Sequence, residues 1–450
     1  MTELRVKPAK GSLRGIVPAP SDKSIAHRAL LLGALGAGRS KLTGFSYGQD
    51  NVRTQMALGH LGVSIEDDGQ GCLIIEGVGL AGFQAPGSDI DCGNSGTSMR
   101  LLCGLLAAQS FQTRLVGDES LSTRPMGRVA EPLRARGAII EGRPHRGRAN
   151  DITAPLVIGP LGEATRLRGI EYALRIASAQ VKSALLLSGL FADGTTVVAE
   201  PLLSRDHTER MLRAVGAQLT TMGTTVQLVP PAHPRALSPF ELELPGDLSA
   251  AAFPLVAAAL VPDSQVGVRH TGLNPTRTGI IDILKLLGAT VRVEPHDSAL
   301  GEPVGTVMVA AQGLIAQPIG GELATRAIDE IPIACALAAR ARGQTEIGDV
   351  AELRVKESDR IGKMVSLLRA FGIDVEERPD GLLIDGNPDR PLRAATVSSS
   401  GDHRIAMTAA VLALVANGET VVRDVDCIAT SFPRFVGTLR ALGAEIEVQA

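Results

Sequence analysis

Helical stretches that end in glycine and pass into alternating, strand-like residues recur six times along the chain, as ALGHLGVSI, LRARGAII, MLRAVGAQL, LKLLGATVRV, LLRAFGIDV and LRALGAEIEV. Their glycines, Gly62, Gly137, Gly216, Gly288, Gly372 and Gly443, stand at near-equal intervals, so six units of similar size fill the sequence. A glycine after the last turn is the expected left-handed helix stop, and the alternation behind it reads as strand. A second, more apolar helix also recurs six times: SIAHRALLLGAL, TSMRLLCGLLAA, ASAQVKSALLLSGL, LSAAAFPLVAAAL, IPIACALAARA and RIAMTAAVLALVA. Each leads into a short strand, and helices apolar on all sides belong in a core, whereas those ending in glycine carry Arg, Lys and Glu and should face solvent. The pattern predicts six βαβαββ modules and an α/β fold.

The starts of these helices share a chemistry. The polar set opens with DNVRTQ, RPMGR, SRDHTE, NPTRTG, KESDR and TSFPR, and the apolar set with SDKS, GNSGTS, ASAQ, PGDLS, AIDEIP and GDHR. If the modules pack side by side and parallel, these basic, polar and glycine-rich ends converge on one cleft. The first, Pro18 to Arg28, places Ser, Asp, Lys and Arg where unpaired N–H groups favour an anion. It reads either as an anion-binding helix start or as an ordinary capped helix with Lys23 and Arg28 in solvent. The turn from Gly93 to Thr97 is a backbone anion cradle in type. Pro/Gly/Asp interruptions at Pro18–Asp22 and Glu243–Asp247 divide three modules, 22–245, from the other three, 246–450, with the N-terminal strand of 1–21 joining the latter.

Composition narrows the partners. The 450 residues hold 45 Lys+Arg against 48 Asp+Glu, a formal charge of −3, which argues against a general nucleic-acid surface. With no Trp, two Tyr and nine Phe, the cores must be aliphatic. Cys72, Cys92, Cys103, Cys335 and Cys427 form no C-x-x-C pair and read as reduced thiols rather than metal ligands. No metal or cofactor is expected, since no zinc motif, P-loop or nucleophile elbow occurs. Neither a signal-like N-terminus nor a membrane-length apolar run is present, so a cytoplasmic protein is expected.

Chemistry-bearing clusters remain at Lys23-Ser24 with Arg28; at Gly93–Thr97 with Arg124; at Ser178-Ala179-Gln180 with Arg205; at Asp329-Glu330; and at Lys356–Arg360 with Asp402-His403-Arg404. SDKSIAHR, GNSGTSMR, STRPMGR, SAQVKSA, SRDHTE, NPTRTG, IDEIP, LRVKESDR, DHRIAM and SFPRF, in this order over the whole chain, closely resemble the 5-enolpyruvylshikimate-3-phosphate synthase family. The likeness is greatest to the bacterial subgroup with SAQVKSA and SRDHTE. It implies an inside-out α/β barrel in two lobes, three βαβαββ repeats in each, closing on substrates between them. The monomer is the expected state.

The reaction implied is enolpyruvyl transfer from phosphoenolpyruvate to the 5-hydroxyl of shikimate 3-phosphate, with release of phosphate. Carried over by motif, Ser24, Arg28, Ser178, Ala179, Gln180, Arg205 and Lys356 are implied to contact shikimate 3-phosphate. Lys23, Gly96, Arg124, Gln180, Arg360 and Arg404 are implied to contact phosphoenolpyruvate. Asp329 matches the proton acceptor and Glu357 the carboxylate that handles the methylene proton, and Lys23 is counted with them as catalytic. His27, His207 and His403 are read as structural or orienting. Thr430 stands where many relatives carry Lys, Arg205 where others carry Tyr, and Leu101 where many have Pro. The resemblance also implies that the herbicide glyphosate occupies the phosphoenolpyruvate site beside Gly96. Two other readings stay open: the sister transferase acting on UDP-N-acetylglucosamine, and a catalytically silent binder of phosphorylated ligands. The first typically has Lys-Asn at Lys23-Ser24 and a reactive cysteine in a loop, and the segment from Asp118 to Arg128 has none.

Overall fold

The computed structural model describes residues 2–162, 165–233, 237–296 and 298–449. Among them lie six small sheets, five of four strands and one of three. One plan recurs. In the second repeat the strand Ile90–Asp91 runs parallel to Thr113–Val116, which pairs antiparallel with Ile152–Ile158, itself paired with Ile140–Pro144. The third repeat follows the same order with Ile170–Ala173, Thr196–Ala199, Thr225–Val229 and Gln218–Met222.

The six glycines expected to stop the polar helices all have positive φ, from Gly372 at 80° to Gly443 at 106°. Only a residue without Cβ holds that conformation cheaply, so the sequence period marks where each helix ends. The apolar helices Lys23–Leu35, Gly96–Leu106, Ala179–Gly189, Leu248–Leu260, Ile331–Arg340 and His403–Ala413 are buried along nearly their whole length. Every residue of Leu248–Leu260 is buried, as its all-round apolar sequence requires.

Two compact units result, one of Met1–Asp22, Pro245–Ser298 and Pro303–Ala450, the other of Lys23–Leu244 with Ala299–Glu302. Each has its own aliphatic core and three of the sheets. In the first, Leu248–Leu260, Ile331–Arg340 and His403–Ala413 pack pairwise; in the second, Gly96–Leu106 packs on Ala179–Gly189 and on Lys23–Leu35. The short segment Ala299–Glu302, read from sequence with the second half of the chain, packs instead with Lys23–Leu244, where Glu302 lies 2.8 Å from His207 Nδ1.

Three departures from a simple tandem repeat appear in the sheets. The strand Arg14–Pro18 precedes the helix Lys23–Leu35 but pairs parallel with Gln265–Gly272, while Glu241–Glu243, preceding Leu248–Leu260, pairs with Arg39–Thr43. The edge strands are thus exchanged at the two interruptions. The N-terminal strand Glu3–Val6 lies between Thr420–Arg423 and Ile446–Gln449 and completes the last sheet. In the fifth repeat the parallel edge shrinks to isolated bridges at Ile315 and Ile319, because Pro318 between them offers no N–H to a ladder. Among the described residues no helix is long and apolar enough to cross a membrane.

Candidate active site

In the unit built on Lys23–Leu244, Lys23 opens its helix and its ammonium lies 3.0 Å from Asp50 Oδ2. Asp50 belongs to the DNVRTQ start of the next helix, Gln49–His60, so two helix starts meet there. Arg28, one turn further in and only 4% exposed, donates from Nε to Thr208 Oγ1 at 2.6 Å, from Nη1 to the Ser24 carbonyl at 2.9 Å and from Nη2 to Ser183 Oγ at 2.7 Å. Neutral oxygens therefore fix the guanidinium plane. His27 lies beneath, its Nδ1 2.8 Å from Thr54 Oγ1, which in turn meets Ser98 Oγ at 2.7 Å. Burial, then the charges of Lys23 and Arg28, hold the imidazole well below its ordinary pKa.

The Gly93–Thr97 turn is organised differently from a backbone cradle. Gly93 N–H donates to Asp91 Oδ1 at 2.8 Å, Ser95 N–H to the Cys92 carbonyl at 2.9 Å, Gly96 N–H to the Asn94 carbonyl at 3.1 Å and Ser98 N–H to the capping Ser95 hydroxyl at 3.1 Å. These four amides are thus occupied within the turn and its helix start. Arg124 donates to the Asn94 carbonyl and side-chain oxygen and, at 3.2 Å, to Ser120 Oγ. A cation that the sequence reading passed over joins it. Arg100, one turn into the helix from Gly96, donates to Gln180 Oε1 at 2.8 Å, and Gln180 Nε2 donates to Thr97 Oγ1 at 2.9 Å. A methyl on Gly96 would lie 2.9 Å from Arg100 Nη1 and 3.5 Å from Arg124 Nη1, so the glycine clears space for both. The available signal was position: Arg100 follows Gly96 by four residues and shares its face.

Ser178 caps the helix Ala179–Gly189, its hydroxyl accepting from Val181 N at 3.4 Å. Behind it, buried Lys182 lies 2.6 Å from Glu200 Oε2 and 2.7 Å from Glu209 Oε1. Arg205 is half-buried in the loop before the helix His207–Ala214.

In the other unit a single guanidinium gathers the acidic candidates. Arg360, 1% exposed at the first position of the helix Arg360–Ala370, donates from Nε to Asp402 Oδ2 at 2.9 Å, from Nη2 to Glu357 Oε2 at 2.6 Å and from Nη1 to Asp329 Oδ1 at 3.4 Å. Lys356 Nζ stands 3.6 Å from that Asp329 oxygen and 3.3 Å from Glu352 Oε1. Burial pushes the Asp402 carboxyl up, but the charges of Arg360 and His403 together with the hydrogen bonds from Arg360 leave the group below its ordinary value. Asp402 also caps the helix of Arg404 by accepting its N–H at 2.9 Å. Arg404, Arg360, Lys356, Glu357 and Asp329 are thus collected at three helix starts.

Arg277, from NPTRTG, has another partner set. Its Nη1 donates to Asp22 at 2.7 Å and its Nη2 to Asp247 at 3.0 Å and Ser249 Oγ at 2.6 Å, all buried. It ties together the two interruptions between which the edge strands are exchanged. Glu330, buried at 1%, accepts from Ser249 in the same cluster, so only Asp329 of the Asp-Glu pair meets Lys356 and Arg360.

Residues 8–439 match the model of the family described as EPSP synthase (3-phosphoshikimate 1-carboxyvinyltransferase). The chain is 49% identical over 439 residues to a 3-phosphoshikimate 1-carboxyvinyltransferase of Geobacter sp. (strain M21), covering 98% of this chain and 99% of that one. It is 46% identical over 431 residues to the protein of that name from Geobacillus kaustophilus, covering 96% and 98%. Among solved structures, an EPSP synthase from Acinetobacter baumannii superposes with a TM-score of 0.88 at 41% identity, over 100% of both chains.

Proposed function

The chain belongs to the EPSP synthase (3-phosphoshikimate 1-carboxyvinyltransferase) family and is a transferase of that activity, and we propose that it works with the residues gathered at the helix starts of its two units. Its substrates are shikimate 3-phosphate and phosphoenolpyruvate, in the route to aromatic amino acids. Together they bring a charge of roughly −5 to −6 at neutral pH, which seven cations can match: Lys23, Arg28, Arg124, Arg205, Lys356, Arg360 and Arg404. Ser24, Arg28, Ser178, Ala179, Gln180, Arg205 and Lys356 hold shikimate 3-phosphate. Lys23, Gly96, Arg124, Gln180, Arg360 and Arg404 hold phosphoenolpyruvate.

The observation that carries this assignment is the meeting of Asp329, Lys356 and Glu357 around Arg360. Asp329 accepts the proton of the 5-hydroxyl as its oxygen bonds to C2 of phosphoenolpyruvate. Glu357 delivers a proton to C3, giving a tetrahedral adduct whose phosphate is stabilised by fixed cations. Glu357, left as a carboxylate by the first step, then takes a C3 proton as the C2–O bond to phosphate breaks, which releases phosphate and leaves the enolpyruvyl ether. The phosphate oxygens compete with Asp329 and Glu357 for Arg360 and Lys356, so binding the substrate frees the carboxylates for proton transfer. The two units are read as the two lobes of this family, three repeats each, and the protein as a cytoplasmic monomer, which size-exclusion chromatography with light scattering checks.

The test is release of phosphate from phosphoenolpyruvate with shikimate 3-phosphate, and with UDP-N-acetylglucosamine as the competing acceptor. Release with the first alone is expected; release with the second, or with neither, overturns the reading. Lys23→Ala should weaken phosphoenolpyruvate binding more than Lys285→Ala at an exposed helix position.

A further inference from the structure

The SAQVKSA and SRDHTE motifs contribute charged residues that no catalytic step uses. Lys182 of the first and Glu209 of the second form, with Glu200, an ion cluster whose side chains are 2%, 4% and 0% exposed. Burying three charges is costly, and a well-packed apolar set would serve stability as well. Its geometry indicates another use. Glu200 Oε1 accepts the N–H of Ser178 at 3.2 Å and the hydroxyl of Ser204 at 2.6 Å, while Oε2 accepts Lys182 at 2.6 Å and the N–H of Ser204 at 3.3 Å. One carboxylate therefore grips the residue that caps the Ala179–Gly189 helix and the residue adjoining Arg205. A second fastening joins the same helices beside it, where Ser183 Oγ and Thr208 Oγ1 lie 2.6 Å apart and both receive Arg28. Burial pushes the Glu209 carboxyl up against the pull of Lys182, while Lys182 stays above its ordinary value because Glu209 and Glu200 outweigh burial.

We propose that Glu200, fixed by Lys182, is a positioning residue for the sugar-phosphate side of the site, setting Ser178 and the Ser204–Arg205 loop at the separation the acceptor substrate requires. Glu200 touches no substrate in this scheme and acts through the backbone and hydroxyls it holds. The inference rests on the assignment of Ser178, Arg28 and Arg205 to shikimate 3-phosphate.

The experiment measures KM for both substrates, kcat, and calorimetric binding of shikimate 3-phosphate for Glu200→Gln, Ser204→Ala and Arg28→Ala, each with a thermal melt. Glu200→Gln should weaken shikimate 3-phosphate by about tenfold, the scale of one charge-assisted hydrogen bond, with kcat and the phosphoenolpyruvate KM within about twofold. Ser204→Ala, which leaves the ion cluster intact, should move the same constant by a smaller factor. A lowered melting temperature with both KM values unchanged, or equal rises in both, overturns the proposal as a structural role only. Should Glu200→Gln not fold, Ser204→Ala decides: a rise confined to shikimate 3-phosphate supports the proposal and no change refutes it. If Arg28→Ala also leaves that binding unchanged, the site assignment itself has failed; if Arg28→Ala weakens it and the other two do not, only the positioning role has.

Discussion

Arg360 donates from Nη2 to Glu357 Oε2 at 2.6 Å, three residues back across a helix start. The same guanidinium also reaches Asp329 and Asp402, so the two carboxylates assigned to proton transfer share one buried cation with a third that stays structural. Asp402 is 0% exposed and takes two of the bonds from Arg360, whereas Glu357 and Asp329 retain exposed surface from which to meet a substrate.

Removing the outer carboxylates should therefore spare the fold and not the reaction. Asp329→Asn and Glu357→Gln are each expected to cut turnover by ~10²–10⁴-fold, the range of general acid–base catalysis. Steady-state phosphate release alongside thermal melts checks this, and near-normal turnover in both variants would remove these residues from the mechanism.

The inner pair should behave oppositely. Arg360→Ala strands Asp402 in the interior and is expected to lower stability by ~3–5 kcal/mol, with loss of activity, on urea unfolding. Asp402 is held below its ordinary value near 3.8, so its contribution is present above that pH and fades as pH falls further through the folded value. Asp402→Asn should flatten the acid limb of stability below about pH 4; parallel curves for variant and parent would count against the pairing.

His27 sets a second pH dependence. Because its folded pKa lies below the ordinary 6.5, the unfolded chain takes up the proton first as pH falls, and stability declines from about pH 6.5 downward at up to ~1.4 kcal/mol per unit. His27→Gln removes this titration. The gap in urea midpoint between parent and variant should shrink from pH 7.5 to pH 5.5, and a constant gap would show that His27 is not kept neutral.

Gly96 and Gly104 face different neighbours on one helix. A Cβ at Gly96 meets the guanidinium ends of Arg100 and Arg124, whereas one at Gly104 would run into the Ala184 carbonyl of the packed helix. Gly104→Ala should cost stability, ~1–3 kcal/mol by overpacking. Gly96→Ala should fold normally and raise the inhibition constant for glyphosate more than the KM for phosphoenolpyruvate, since added bulk falls hardest on the longer ligand. An uninhibited parent, or equal changes for both ligands, would refute the Gly96 argument.

The sequence alone determined the repeat. Gly62 through Gly443 mark helix stops because a left-handed residue costs least without a Cβ, and the all-apolar stretches had to become buried helices because no polar face could meet water. The cations of SDKSIAHR, STRPMGR and KESDR were legible for the same local reason, since helix starts are where charge and unpaired N–H groups coincide. Pairing was not legible. That Arg360 also reaches Asp329 and Asp402, that Asp50 faces Lys23, that Arg100 reaches Gln180 and that Glu200 holds Ser178 all depend on residues well separated in the chain. The exchange of Arg14–Pro18 with Glu241–Glu243 between sheets is of this kind too, because the partner of each strand lies far along the chain. Local chemistry specified which groups are available; only the packing of the helices, and the cost of leaving a buried charge unmatched, decided which of them meet.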